Sequence, residues 1–528
     1  MKSVTFAVQK RFKIKEKMLP TISLTDKEQQ IDNLIIILSR LSRIPGGLFS
    51  SGEKAYIRKQ FEQEKKELVS FNRIDYQIYV YIVREEKEKP KRWEACRKAG
   101  AKAAQGLNEQ KAGRVALFDI EGLPEETLAF AEGMALGHYQ FLKYKTDRKG
   151  QNTLKEIEIY SRTLEEMQHS VSTSSPGPSP QGEGSIGHPA SSVRFLNILV
   201  DAVSRCRDLI NEPNSWLTAS IFAQEVGKMV ADCGVSVEIM NKKKLEALKM
   251  GGILGVNQGS HEPPTFTVLE WKPEKYLNDK PFVFIGKGVV YDTGGMNLKT
   301  GNFMLNMKDD MSGAAAVACA LYAVAKAGLP VHIVGLLPAT DNRPGEKGIV
   351  SGDILRMHNG MTVEVTDTDA EGRLLLADAL SYAKKYDPAL VIDLATLTGA
   401  AVRAIGNFAA AAMQSKAVRE LDILKKSGNE MYERVIDFPL WEEYDESLKS
   451  DLADLKNLGA PEGGLIIAGK FLEKFTDYPF IHLDIAGPAF LEKADSYRGQ
   501  GGTGFGVRLL FDFIVNFVKN GFDGTNNR

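Results

Sequence analysis

Four acidic residues and a lysine, Asp292, Asp310, Asp369, Glu371 and Lys287, stand in three segments: GKGVVYDTGG, NMKDDMSGAAA and DTDAEGRLLLADAL. Oxygen-rich ligand sets suit hard or borderline dications, and a pair of such ions can activate water against a carbonyl or phosphoryl group. Hydrolytic chemistry is therefore expected. Two further basic residues, Lys299 and Arg373, lie in or close to the same segments.

Each residue also has a structural reading. Asp310 precedes a stretch that reads as a helix from near Ser312, and aspartate favours helix N-caps. Asp369 and Glu371 could serve the positive end of a helix dipole. In an extended loop, however, alternate residues point the same way, so both carboxylates can face one ion. Lys287 could be a solvated loop lysine. As a ligand it would have to bind as the neutral amine, a form that burial and a nearby dication both favour. The density of carboxylates near apolar strand ends favours a site, because burying them without a cation is costly.

Those strand ends belong to a C-terminal stretch that alternates between two patterns. Phe282–Gly286, Val331–Leu337, Leu390–Leu397 and Phe480–Gly487 are apolar runs with β-branched residues, as expected for strands buried on both faces. Ser312–Gly328 and Glu371–Tyr386 read as helices between them. The expected architecture is an α/β/α domain with a central, mostly parallel or mixed sheet, its ligands gathered at the strand ends. Upstream, Arg114–Ile120 reads as a strand, and the stretch after Pro124 reads as an amphipathic helix, so a smaller N-terminal α/β domain is expected. Ser170–Ser192 is rich in Ser, Pro and Gly and reads as a flexible linker or insertion. The expected organisation is an N-terminal domain over 1–169, a linker over 170–192 and a catalytic domain over 193–528.

With 528 residues, 43% apolar and 26% charged, the chain suits a multidomain globular protein. A net charge of −1 indicates no broad nucleic-acid surface. Cys96, Cys206, Cys233 and Cys319 form no CxxC pair, and the basic N-terminus lacks the apolar run of a signal peptide. No apolar stretch is long enough to span a bilayer. A soluble, cytoplasmic protein is expected.

Together the three segments resemble the leucyl aminopeptidase (cytosol aminopeptidase) family. The resemblance runs from about Arg205 to Leu510, and DTDAEGR, against the family's NTDAEGR, is its most specific element. It implies metal ligation by Lys287, Asp292, Asp310, Asp369 and Glu371, with Asp292 and Glu371 bridging two divalent ions, Zn²⁺ or Mn²⁺. It places the catalytic lysine on Lys299 and the catalytic arginine on Arg373, which would cradle a bicarbonate. It places the substrate pocket on Met307, Thr396, Leu397, Gly399 and Ala486. The substrates implied are peptides with a free N-terminus, leucine and other apolar residues being favoured, and the assembly implied is a homohexamer. Asp367 replaces the family's usual asparagine, adding negative charge beside the cage, and DNRPG at 341–345 differs from the common ENMPG. Neither change removes a ligand.

Rival signals are weaker. HExxH and GxSxG are missing. Gly499, Gly501 and Gly504 match GxGxxG, but a glycine turn opening the last helix explains them better than a dinucleotide site. The alternative function is DNA binding, as an architectural or regulatory protein. It rests on the basic run Lys87–Gln105, which a solvated helix face also explains.

Overall fold

The computed structural model describes residues 19–25, 33–166 and 192–520. The basic N-terminal run and all of the Ser/Pro/Gly-rich segment except Ser192 lie outside the described residues. The chain divides into two compact units, Met1–Asp201 with Asp495–Gly499, and Ala202–Ala494 with Gln500–Arg528.

In the first unit, six strands form one sheet: β1 (Thr21–Leu24), β2 (Leu34–Leu38), β3 (Leu68–Asn72), β4 (Gln77–Ile82), β5 (Arg114–Asp119) and β6 (Glu156–Tyr160). Their order is β1-β6-β5-β2-β4-β3, and every pairing is parallel except β3 with β4. The apolar run LIIIL of β2 is buried along its whole length, as a central parallel strand requires. The helix Pro124–Gly137 departs from the amphipathic pattern expected of it, since Glu126 to Leu136 are all buried. Glycines explain this. A Cβ at Gly133 would fall 1.9 Å from the Arg97 carbonyl oxygen, and one at Gly100 would fall 2.0 Å from that of Phe130. The helix therefore packs backbone to backbone on Lys89–Glu109. The buried charges that result are paired: Arg97 Nε lies 2.6 Å from Glu132, and Arg92 Nε lies 2.7 Å from Glu126. Lys89 and Lys91 also pair, with Glu125 and Glu88. The run that reads as a basic solvated face is thus largely paired with carboxylates, which leaves little net positive charge there to hold a nucleic acid.

The second unit is built on a nine-stranded mixed sheet. Its strands are β7 (Ser236–Met240), β8 (Thr265–Trp271), β9 (Phe282–Gly286), β10 (Gly288–Asp292) and β11 (Ile333–Asn342). A separate small sheet takes β12 (Ile354–Arg356), β13 (Thr362–Glu364) and β17 (Leu455–Lys456). The large sheet is completed by β14 (Leu390–Ala395), β15 (Ala410–Ser415), β16 (Val435–Asp437) and β18 (Phe480–Asp484). Its order is β16-β15-β18-β14-β9-β11-β8-β7, with β10 beside β11. The central strands β18, β14, β9 and β11 are mutually parallel, so their carboxyl ends share one edge. β11 begins two residues later than its apolar run suggests and continues to Asn342, which carries an asparagine to that edge.

Alternate residues of β9 feed two layers. Phe282 packs its ring on Phe513 and Phe517 of the last helix, Val507–Asn520. Val283 and Ile285 join a cluster with Leu374, Leu375, Val391 and Phe480 under the helix Gly372–Ala383. The helix Ser312–Ala327 is buried almost throughout and packs on β9, β11 and β14. Among the described residues no helix is long and apolar enough to cross a membrane.

Candidate metal centre

Five chain segments meet at the carboxyl edge of the central strands. Lys287 follows β9 directly. Its backbone N–H donates to the Leu394 carbonyl at 3.0 Å, and its own carbonyl accepts from Ala314 N at 2.9 Å. The residue is fixed between β14 and the first turn of the next helix. Its side chain is buried against Gly372, where a Cβ would fall 2.4 Å from Lys287 Cε. Gly372→Ala is therefore expected to push the amine off its partners and to weaken metal binding by about 10–100-fold, the scale typical of ligand-supporting residues; metal content after dialysis checks this.

The other ligand candidates converge on the same point. Asp292 ends β10, and Glu371 immediately precedes the helix Gly372–Ala383. Carboxylate oxygens of Asp292, Asp369 and Glu371 lie within 4.8 Å of one another. Lys287 Nζ lies 2.7 Å from Asp310 and 2.9 Å from Glu371. Lys299 Nζ lies 2.7 Å from Asp292 and 2.6 Å from Asp369. Two ammonium groups thus mark two positions, each between a pair of carboxylates, that attract positive charge. Asp310 is not the cap that its position suggests. Met311 takes the N-cap place, and the Asp310 side chain accepts from Lys287 and, at 2.9 Å, from Thr396 Oγ1.

The electrostatics show why a cation fits. Burial pushes the Asp310 carboxyl well above its usual range, and Glu371 and Asp292 push it the same way. Burial, with Asp292 and Glu371, raises Asp369 to about 7, and Glu371 is raised by burial and by Asp292. Burial opposes charge on Lys287 as well, but Asp310, Glu371 and Asp292 outweigh it and hold the amine protonated. Next to these carboxylates the ammonium is the favoured form, so ligation by Lys287 requires a dication to drive off its proton. Asp310 Oδ2 is buried and has no hydrogen-bond partner among the described residues. Four carboxylates match the charge of two dications, so the residues fit the ions that the sequence implies.

Several supports carry no signal in residue type alone. Asn342 Nδ2 donates to Asp292 Oδ1 at 2.9 Å, to the Thr368 carbonyl at 3.0 Å and to Glu371 Oε2 at 3.4 Å, tying three segments together. Asn457 Oδ1 accepts from Thr366 N at 2.8 Å, and its Nδ2 donates to the Asp367 carbonyl at 2.6 Å, which shapes the DTDAEGR loop. Asp367 turns its carboxylate onto Asp369 N at 2.8 Å and so serves the loop as well as adding charge. Gly294, at φ +86, lets the chain turn where a Cβ would fall 3.0 Å from Asp369 Oδ1. Arg373 is buried. Its Nη1 donates to the Asn457 carbonyl at 2.7 Å, and its Nε has no hydrogen-bond partner among the described residues. Burial lowers its pKa to about 10, which still leaves it protonated at neutral pH.

The pocket candidates lie on the same rim. Thr396 and Leu397 leave β14, Gly399 opens the helix Gly399–Ile405, Ala486 follows β18, and Met307 is partly buried in the short helix before Asp310. Beneath them, Asp393 and His482 face each other in register on β14 and β18, both fully buried, with His482 Nδ1 2.6 Å from Asp393 Oδ1. Removing one partner of such a pair leaves an uncompensated buried charge. His482→Leu is expected to cost about 3–5 kcal/mol in stability, read from the midpoint of denaturant unfolding.

A model of the cytosol aminopeptidase family's catalytic domain matches residues 204–511, and a model of that family's N-terminal domain matches residues 86–148. A Chlorobium limicola protein named "Probable cytosol aminopeptidase" is 45% identical over 392 residues, covering 73% of this chain and 74% of its own length. A Geobacter protein of the same name is 40% identical over 424 residues, covering 80% and 82%. Among solved structures, the bottromycin maturation enzyme BotP in complex with Mn superposes with a TM-score of 0.78 at 27% identity, covering 93% of this chain and 100% of that one. A mutant of tomato leucine aminopeptidase gives 0.78 at 26%, covering 95% and 98%.

Proposed function

Because this chain belongs to the cytosol aminopeptidase family and is a metal-dependent exopeptidase acting at peptide N-termini, we propose that Lys287, Asp292, Asp310, Asp369 and Glu371 hold its two divalent ions. The observation that carries this reading is the convergence of four carboxylates around the Lys287 and Lys299 amines. The ions, when bound, lower the pKa of water and polarise the scissile carbonyl. The Mn named for BotP and the carboxylate-rich donor set support manganese or zinc as the metal.

The chain's own residues do the rest. Asp310, with one oxygen lacking a hydrogen-bond partner, lies at the end of the site that takes the free α-amino group. Lys299 Nζ donates a hydrogen bond to the carbonyl oxygen as negative charge develops there. Arg373 stays protonated and cannot act as a base, but its unpartnered Nε suits an anion, and a bicarbonate held there would supply the base. Met307, Leu397 and Ala486 give the pocket an apolar lining that favours leucine and similar residues, with Thr396 and Gly399 completing its wall. We further read residues 1–169 as a domain for assembly or access, 170–192 as a linker and 193–528 as the catalytic part, in a cytoplasmic homohexamer.

A panel of aminoacyl fluorogenic substrates tests this reading after chelation and with Mn²⁺ or Zn²⁺ restored. Hydrolysis should vanish and return with metal, favour leucine, and spare the N-acetylated substrate. Hydrolysis that survives chelation, or that ignores the acetyl block, would sink it.

A further inference from the structure

The loops that carry the pocket candidates share a partner that touches none of the reacting groups. Asp484 ends β18 and is 1% exposed. Its Oδ1 accepts from Leu397 N at 3.2 Å and from Ala486 N at 3.1 Å, and its Oδ2 accepts from Thr398 Oγ1 at 2.6 Å. Two of these donors come from the loop after β14 and the third from the loop after β18. Thr398 Oγ1 in turn accepts from Ala401 N at 3.1 Å and caps the helix that Gly399 opens.

We propose that Asp484 is a positioning residue for substrate selection, one carboxylate that fixes both walls of the side-chain pocket. The proposal rests on the aminopeptidase reading of this site. A buried carboxylate with three donors is held in one geometry, and it holds its donors in turn. Without it, two backbone N–H groups and a hydroxyl lose their acceptor, and the Leu397 and Ala486 walls are free to shift independently. A displacement of about 1 Å at a binding wall is enough to change rates by up to ~10²-fold. The change should fall mainly on recognition of the side chain, because Asp292 and Glu371 are anchored elsewhere, on Asn342 and Gly294; Asp310 meets the loop after β14 at Thr396 Oγ1, one residue before Leu397, and metal content reads any shift there.

The test compares Asp484→Ala and Asp484→Asn with the unaltered chain by three measurements: metal content, kcat and KM for leucyl and alanyl substrates, and amide hydrogen exchange at Leu397 and Ala486. For Asp484→Ala the expected result is two ions still bound, KM for the leucyl substrate raised about tenfold, kcat little changed, the leucine-over-alanine preference largely lost, and both amides exchanging faster. Asp484→Asn keeps an acceptor oxygen for the two N–H groups and should restore much of the preference and the protection. A merely structural role would lower folded yield and metal content together and leave the preference intact. Native selectivity with native exchange in both variants would overturn the proposal. If Asp484→Ala does not fold, Asp484→Asn decides through Thr398, whose lost acceptor should still loosen the pocket and lower the preference. If the unaltered chain cleaves no aminoacyl substrate, the aminopeptidase reading fails, and the exchange data still decide whether Asp484 holds the two walls.

Discussion

Lys299→Ala is expected to lower kcat by about 10²–10³-fold, the usual consequence of removing one donor to a developing oxyanion. The two ions should remain bound. Lys299 lies between Asp292 and Asp369, so its loss removes one positive charge from a cluster of four carboxylates. Metal affinity should hold or rise, because the cation that competes with a dication there has gone. The paired measurement is metal content against turnover. A drop in turnover at constant metal assigns Lys299 to the reaction, whereas equal turnover refutes the role. Lys299→Arg keeps the charge on a larger, planar head, and should recover only part of the rate.

Asp369→Ala separates the other way. Its side chain is about one third exposed, whereas those of Asp292, Asp310 and Glu371 are buried. Removing it opens the solvent side of the cage and takes a ligand from one position. Changes in residues that only support a ligand cost ~10–100-fold in affinity, and loss of a ligand itself should exceed about 100-fold. The expected result is one ion or none after gel filtration, with activity returning only at high metal concentration. Two ions held at native affinity would remove Asp369 from the ligand set. The fold should survive, because Asp369 is raised to about 7 mainly by burial, so its charged form is disfavoured in the folded chain. For that reason the metal-free variant should match or exceed the parent in stability near and above that pH.

Much of this site is legible in the sequence, and the reasons are local. Lys287, Asp292, Asp310, Asp369 and Glu371 sit beside apolar strands or at helix starts, and parallel strands bring their carboxyl ends to one edge whatever the loop details. Asp310 shows the limit of residue type. Beside a helix start it reads as a cap, and only the fold reveals that its carboxylate reaches Lys287 and Thr396. The supports carry no local signal because they act across long separations. Asn342 joins residues 26 to 50 positions away, and Asn457 shapes a loop some 90 positions before it. Asp484 sits in a run, FIHLDIAG, whose apolar character speaks only of a buried strand. The helix Pro124–Gly137 escaped its pattern for another reason. Glycine contacts let it bury its charged face against paired partners, which a count of apolar positions cannot show.

The most direct test of the central claim is a titration of the chelator-stripped chain with Mn²⁺, read as bound metal per chain, beside Asp310→Asn. The account predicts two ions per chain for the parent, displacing the positive charge of Lys287 from between Asp310 and Glu371, and weaker or incomplete loading for the variant. A parent chain that binds no more metal than Asp310→Asn would contradict it.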